Sequence, residues 1–116
     1  PRCRYWSLSD QFDRIAQRAQ RCRQQGVALT GVLPPMADNV LTEVCEPYGI
    51  DTAMEQQVLP QLKDWAGEYG FRLLDYEWED RPDFDDDTQF YDGFHLDEVH
   101  GLPQWVEMLF SQLKQG

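Results

Sequence analysis

At 116 residues the chain has room for one domain, and 41% hydrophobic with 13% aromatic content marks a folding sequence rather than a disordered one. The formal net charge of −11 is unevenly spread: residues 1–25 hold six arginines against two acids, while the rest holds four basic and nineteen acidic residues. That imbalance argues against a nucleic-acid partner, an anionic membrane surface or a polyanionic substrate.

Residues 9–25 read as a helix, with Ser7 or Ser9 available as its cap. Phe12, Ile15, Ala16, Ala19 and Cys22 follow the spacing of one buried face, Arg14, Arg18 and Arg21 fall on the other, and Gly26 supplies a left-handed stop. Val27–Leu33 is a short apolar run without polar alternation, the pattern of a strand covered on both faces, and Pro34-Pro35 ends it. Residues 36–51 read as irregular, with a helical turn over Val40–Cys45. Thr52 followed by Glu55 is a capping-box signature for a helix over about 52–69, whose apolar stripe is Met54, Val58, Leu62, Trp65 and Tyr69. Pro60 lies inside that span and predicts a kink or a split, because it cannot donate to the preceding turn. Phe71–Tyr76 is the second strand, Glu77–Thr88 an acidic solvated loop, and Pro103 opens a last helix with Val106, Leu109, Phe110 and Leu113 on its core face. The order predicts an α/β fold, a small parallel sheet flanked by about three helices, with the strands joined by a right-handed crossover.

The three cysteines, Cys3, Cys22 and Cys45, show no C-x-x-C spacing, so reduced thiols are expected. No 18-residue apolar run predicts a membrane span, and no charged-then-apolar leader opens the sequence as given. The expected compartment is the cytoplasm.

The stretch that carries chemistry is Phe90-Tyr91-Asp92-Gly93-Phe94-His95-Leu96, followed by Gly101. An aspartate three residues before a histidine can orient the imidazole and set its tautomer, leaving the ring ready to take a proton from a hydroxyl nucleophile. The chain has only three serines, Ser7, Ser9 and Ser111, and none sits in a strand-to-turn context. Asp92, His95, Asp97, Glu98 and His100 also offer metal-ligand types within nine residues, but the two histidines are five apart and do not share a helix face, so no metal or cofactor site is expected.

The run ending in Pro34-Pro35-Met36, the helix ending in Glu68-Tyr69-Gly70, the strand ending in Leu74-Asp75-Tyr76 and the Asp92-Gly93-Phe94-His95-Leu96 block resemble the C-terminal part of SGNH (GDSL-type) hydrolases and acyltransferases. The resemblance spans about Asp10 to Leu113, and its specific element is Asp92-x-x-His95. It implies a partial SGNH or flavodoxin-like three-layer fold, with the whole of 1–116 as one domain, and it implies the acid and base of a Ser-His-Asp triad at Asp92 and His95. The family's Gly-Asp-Ser turn and its Gly and Asn blocks have no counterpart here; the one asparagine is Asn39.

Two functions stay open at this stage. One is a non-catalytic dimeric binding or structural module. The other is an ester hydrolase or O-acyltransferase component in which Asp92 and His95 serve a nucleophile from another segment or chain. The expected self-partner is a homodimer formed through an exposed edge of the strand at 27–33, because an unpaired apolar edge is a template for another chain. A small-molecule or acyl-ester ligand is the expected alternative partner.

Overall fold

The computed structural model describes residues 8–115. Helix α1 runs Leu8–Gln24 and already includes Ser9, while Cys3 and the other cap candidate, Ser7, lie outside the described residues. Gly26 takes φ +71°, and Val27 N–H donates to the Cys22 carbonyl at 2.8 Å, which closes the helix. Of the expected apolar face, Ala19 is buried and Ala16 and Cys22 are half-buried. This side of α1 lies against α4 (Leu59–Tyr69), and Arg23 Nη2 donates to the Glu68 carbonyl at 3.5 Å.

Strands β1 (Thr30–Leu33) and β2 (Arg72–Asp75) pair in parallel, with Thr30 opposite Arg72 and Leu33 opposite Asp75. They are the whole sheet among the described residues, so each strand keeps one unpaired edge. Both are shorter than the apolar runs that announced them. All four residues of β1 are half-buried, so the strand is not sealed on both faces as its composition suggested. The chain is thus mixed helix and strand around a small parallel sheet.

Between the strands the helices are more regular than the sequence implied. Helix α2 (Asp38–Val40) runs into a π-helical turn over Leu41–Cys45, where 36–51 had read as mostly irregular. What starts it is remote: the Asp86 carboxylate accepts from Asp38 N–H at 2.7 Å and Asn39 N–H at 2.8 Å, a cap supplied from 47 residues or more along the chain. Helix α3 (Ile50–Ala53) starts two residues ahead of Thr52, behind Gly49 at φ +69°, and no side chain caps it, so the Thr52–Glu55 box is not used. α3 continues through a second π-helical turn, Met54–Val58, into α4. There Leu59 N–H reaches back to the Met54 carbonyl, and Pro60 stands in the first turn of α4, where a missing donor leaves no gap in the ladder. The sequence's choice between kink and split resolves as a widened turn. Met54, Val58, Leu62, Trp65 and Tyr69 are all half-buried, as their stripe predicted, and Leu59 is buried beside them.

Residues 76–101 form no helix and no strand beyond one isolated bridge, yet they hold much of the core. Phe84 and Phe90 pack with Ala37, their ring centroids 6.4 Å apart, and Val40, Leu96 and Trp105 close around them. Tyr76 meets Trp105 edge-on at 6.1 Å. The last helix, α5 (Leu102–Gln115), begins as Pro103 predicted but has no buried residue.

Candidate functional site

The carboxyl end of a parallel strand is where an open α/β sheet places its ligand crevice, and here two loops meet at that end. The exit of β1, Pro34 to Ala37, is tied to the 90–96 loop by Ala37 N–H donating to the Gly93 carbonyl at 3.0 Å. A Cβ on Gly93 would fall 2.5 Å from Val40 Cγ2, so glycine lets the loop approach α2. The exit of β2 is fixed by Asp75, whose buried carboxylate accepts three backbone N–H groups: Glu77 and Trp78 at 2.9 Å each and Glu79 at 3.1 Å. Arg81 then fastens the two exits together. Its guanidinium donates to the Glu77 carbonyl at 2.8 Å and the Met36 carbonyl at 3.1 Å, and it pairs with Asp38.

The 90–96 loop closes on itself. Phe90 and Leu96 form an antiparallel bridge, Tyr91 N–H donates to the His95 carbonyl at 2.7 Å, and Asp97 N–H donates to the Gln89 carbonyl at 2.9 Å. At its tip Asp92 Oδ1 accepts from Phe94 N–H at 2.9 Å and from His95 N–H at 2.8 Å. Both Asp92 oxygens lie 2.9 Å from His95 Nδ1. The Phe94 N–H first, and then the His95 ring, hold the Asp92 carboxyl below the usual carboxylate range. With a carboxylate facing Nδ1, the neutral imidazole keeps its proton there and leaves Nε2 as the base. The ring is open to solvent, with 76% of the His95 side chain exposed.

A second turn of the same design follows at once, and the sequence reading did not single it out as a pair. Asp97 Oδ2 accepts from Val99 N–H at 3.0 Å and His100 N–H at 2.7 Å, and it lies 3.0 Å from His100 Nδ1. Backbone N–H groups of His100 and Val99 are the main reason the Asp97 carboxyl is also held low. The repeated Asp-x-x-His spacing, 92 to 95 and 97 to 100, was the signal available in the sequence. Among the described residues no group of three or more His, Cys, Asp or Glu side chains is placed to hold a metal ion. The two Asp–His couples stand apart, each closed on its own turn.

A cleft of about 820 Å³ lies beside them. Its walls include Pro34, Pro35, Phe94, Leu96, Leu102 and Trp105, its acids are Asp92, Asp97 and Glu98, and His95 lines it while His100 does not. No Ser, Thr or Cys and no cationic side chain is among its described lining residues; Tyr91 brings the one hydroxyl. Ser111 lies on α5 in a different hollow, and Ser9 belongs to α1. The structure therefore brings Asp92 and His95 together, and among the described residues no serine lines the cleft with them. No helix among the described residues is long and apolar enough to cross a membrane. Comparison with protein-family models, curated proteins and solved structures finds no match to this chain.

Proposed function

We propose that this chain carries the acid–base half of an acyl-ester hydrolase or acyltransferase site, with Asp92 orienting His95 and the attacking hydroxyl supplied by another segment or chain. The observation that carries the reading is the Asp92–His95 couple at the wall of an apolar cleft at the carboxyl end of β1. His95 takes the proton of the incoming hydroxyl through Nε2 and returns it to the leaving group, while Asp92 holds the tautomer and steadies the imidazolium. The resemblance of residues 90–96 to the SGNH acid–base block supports the same roles.

The test is hydrolysis of a short-chain nitrophenyl ester by the chain and three variants. Removing a positioned base costs on the order of a hundredfold in a complete site, and a loss of about tenfold is expected for this half site in His95→Ala. Asp92→Asn falls between the two, and His100→Ala matches the unaltered chain. Equal losses at His95 and His100, or none at either, rule the assignment out.

A second reading, a non-catalytic module that works as a homodimer, is favoured by one observation: each strand of the two-stranded sheet keeps an unpaired edge among the described residues. Light scattering on a gel-filtration column tests it, and a clean monomer at micromolar concentration ends it.

A further inference from the structure

We propose that two copies of this chain associate through antiparallel pairing of their α5 helices, about a two-fold axis between Phe110 and Ser111. The proposal rests on the self-association reading above but moves the seam from the strand edge to the last helix. α5 lies against no other helix or strand and has no buried residue. It reaches the body through Trp105, which meets Tyr76 and the Phe84–Phe90 cluster. At about 100° per residue, Leu102, Val106, Phe110 and Leu113 fall within roughly 80° of arc, on a different side of the helix from Trp105. Phe110 is 56% exposed and Leu102 and Leu113 are each 39% exposed. Val106 is half-buried and Leu102 also borders the cleft beside His95, so the open part of this apolar stripe is Phe110 with the outer sides of Leu102 and Leu113.

The charges say what covers it. α5 carries only two ionisable side chains, Glu107 and Lys114, and both lie on the same flank of the stripe, just beyond Phe110. Neither has an ion partner among the described residues. A two-fold axis between residues 110 and 111 sets Glu107 beside the partner's Lys114, and symmetry repeats the contact at the other end. The same register brings Phe110 against the partner's Phe110 and Leu113 near the partner's Val106. The helix is thus complementary to itself in both apolar pattern and charge, which an unrelated partner has no reason to match.

Two other surfaces oppose a second copy. The 77–88 loop carries seven acids and one arginine, so two copies meeting there repel. The open edge of β1 is four residues long, and the groove leading into that strand is lined by Arg14, Arg18 and Arg21 with Leu29, so a two-fold axis there turns arginines toward arginines. α5 sets its apolar stripe beside one acid and one base. A 14-residue helix is about 21 Å long, so the seam sits at the small end of specific interfaces and predicts a micromolar dimer.

The experiment is sedimentation equilibrium of the full chain, with reductant present, from about 1 to 200 μM. A monomer–dimer equilibrium is expected. Phe110→Glu, at a side chain more than half exposed, weakens it by about a hundredfold, because each dimer carries the change twice, with a thermal melt confirming that the variant folds. Glu107→Lys and Lys114→Glu each weaken it by about fivefold, and the double charge swap restores it. A chain that stays monomeric across the range overturns the proposal together with the self-association reading. A dimer indifferent to Phe110→Glu keeps self-association and overturns the α5 seam. A double swap that does not recover overturns the register.

Discussion

The two Asp-x-x-His turns are near-copies in geometry and differ in setting. In each, one carboxylate gathers two backbone N–H groups and the Nδ1 of the histidine three residues on, at 2.7–3.0 Å. The pairing is therefore a local product of the turn: an aspartate that caps its own loop swings the third side chain back onto itself. His95 lines the cleft and His100 does not. The two couples differ in their place on the molecule, not in their geometry.

Asp75 extends the comparison and carries the largest expected effect. It uses the same device, three backbone N–H groups on one carboxylate, but is only 5% exposed. Asp75→Ala leaves those part-buried donors without their acceptor, and a loss of about 3 kcal/mol in urea unfolding is expected. A loss no larger than at the exposed turns breaks the argument that burial sets the scale. The next effect belongs to Gly101, where a Cβ would fall 2.0 Å from the Gln89 carbonyl oxygen, a backbone atom that cannot step aside. Gly101→Ala is expected to cost about 2–3 kcal/mol. Gly93→Ala, facing a valine methyl, costs about 1 kcal/mol.

At the two turns themselves, Asp92→Ala and Asp97→Ala should each lower stability, and by less than Asp75→Ala, because both carboxylates face solvent. Only the first should alter ester chemistry. Both carboxyls have folded pKa values held low, so their contribution is present at neutral pH and is lost as pH falls below the ordinary aspartate range. The Asp→Ala penalties should therefore shrink as pH falls through the acid range, as thermal scans across pH will show.

Glu77 gives the smallest effect and the opposite sign. Burial pushes its carboxyl up, so the folded state disfavours its charge, and stability declines as pH rises through its titration. Glu77→Gln should raise the melting temperature slightly at pH 7, by well under about 1 kcal/mol in free energy, and change nothing near pH 3. A variant melting lower at pH 7 shows that the ionised form contributes contacts the glutamine cannot replace.

The parts legible in the sequence were those set by neighbours along the chain. The stripe Met54, Val58, Leu62, Trp65 and Tyr69, the stop at Gly26, the opening at Pro103 and the Asp92–His95 spacing all express local periodicity or local turn chemistry. The unread parts depend on distant residues. Asp86 starts α2 from the far side of the acidic loop, a contact no window of sequence contains. Arg81 reads as a lone base in an acid run, and only the fold shows it clasping Met36 and Asp38. Thr52 and Glu55 formed a sound local cap signature, but Gly49 began the helix first. Val27–Leu33 looked sealed because its composition is apolar, whereas sealing depends on what lies above and below it.

The widened turn Met54–Val58 has a consequence for how this chain tolerates change in length. It holds one residue more than a regular helix would use between Ile50 and Tyr69, and that surplus carries the ladder past Pro60. Deleting any residue there would force a standard helix across the proline and drive its ring into an upstream carbonyl. Trimming Asp85–Asp87 would instead forfeit the Asp86 cap on α2 and the Asp85 contacts that hold Thr88 and Gln89. The continuous helical segment is therefore intolerant of shortening at its widened turn.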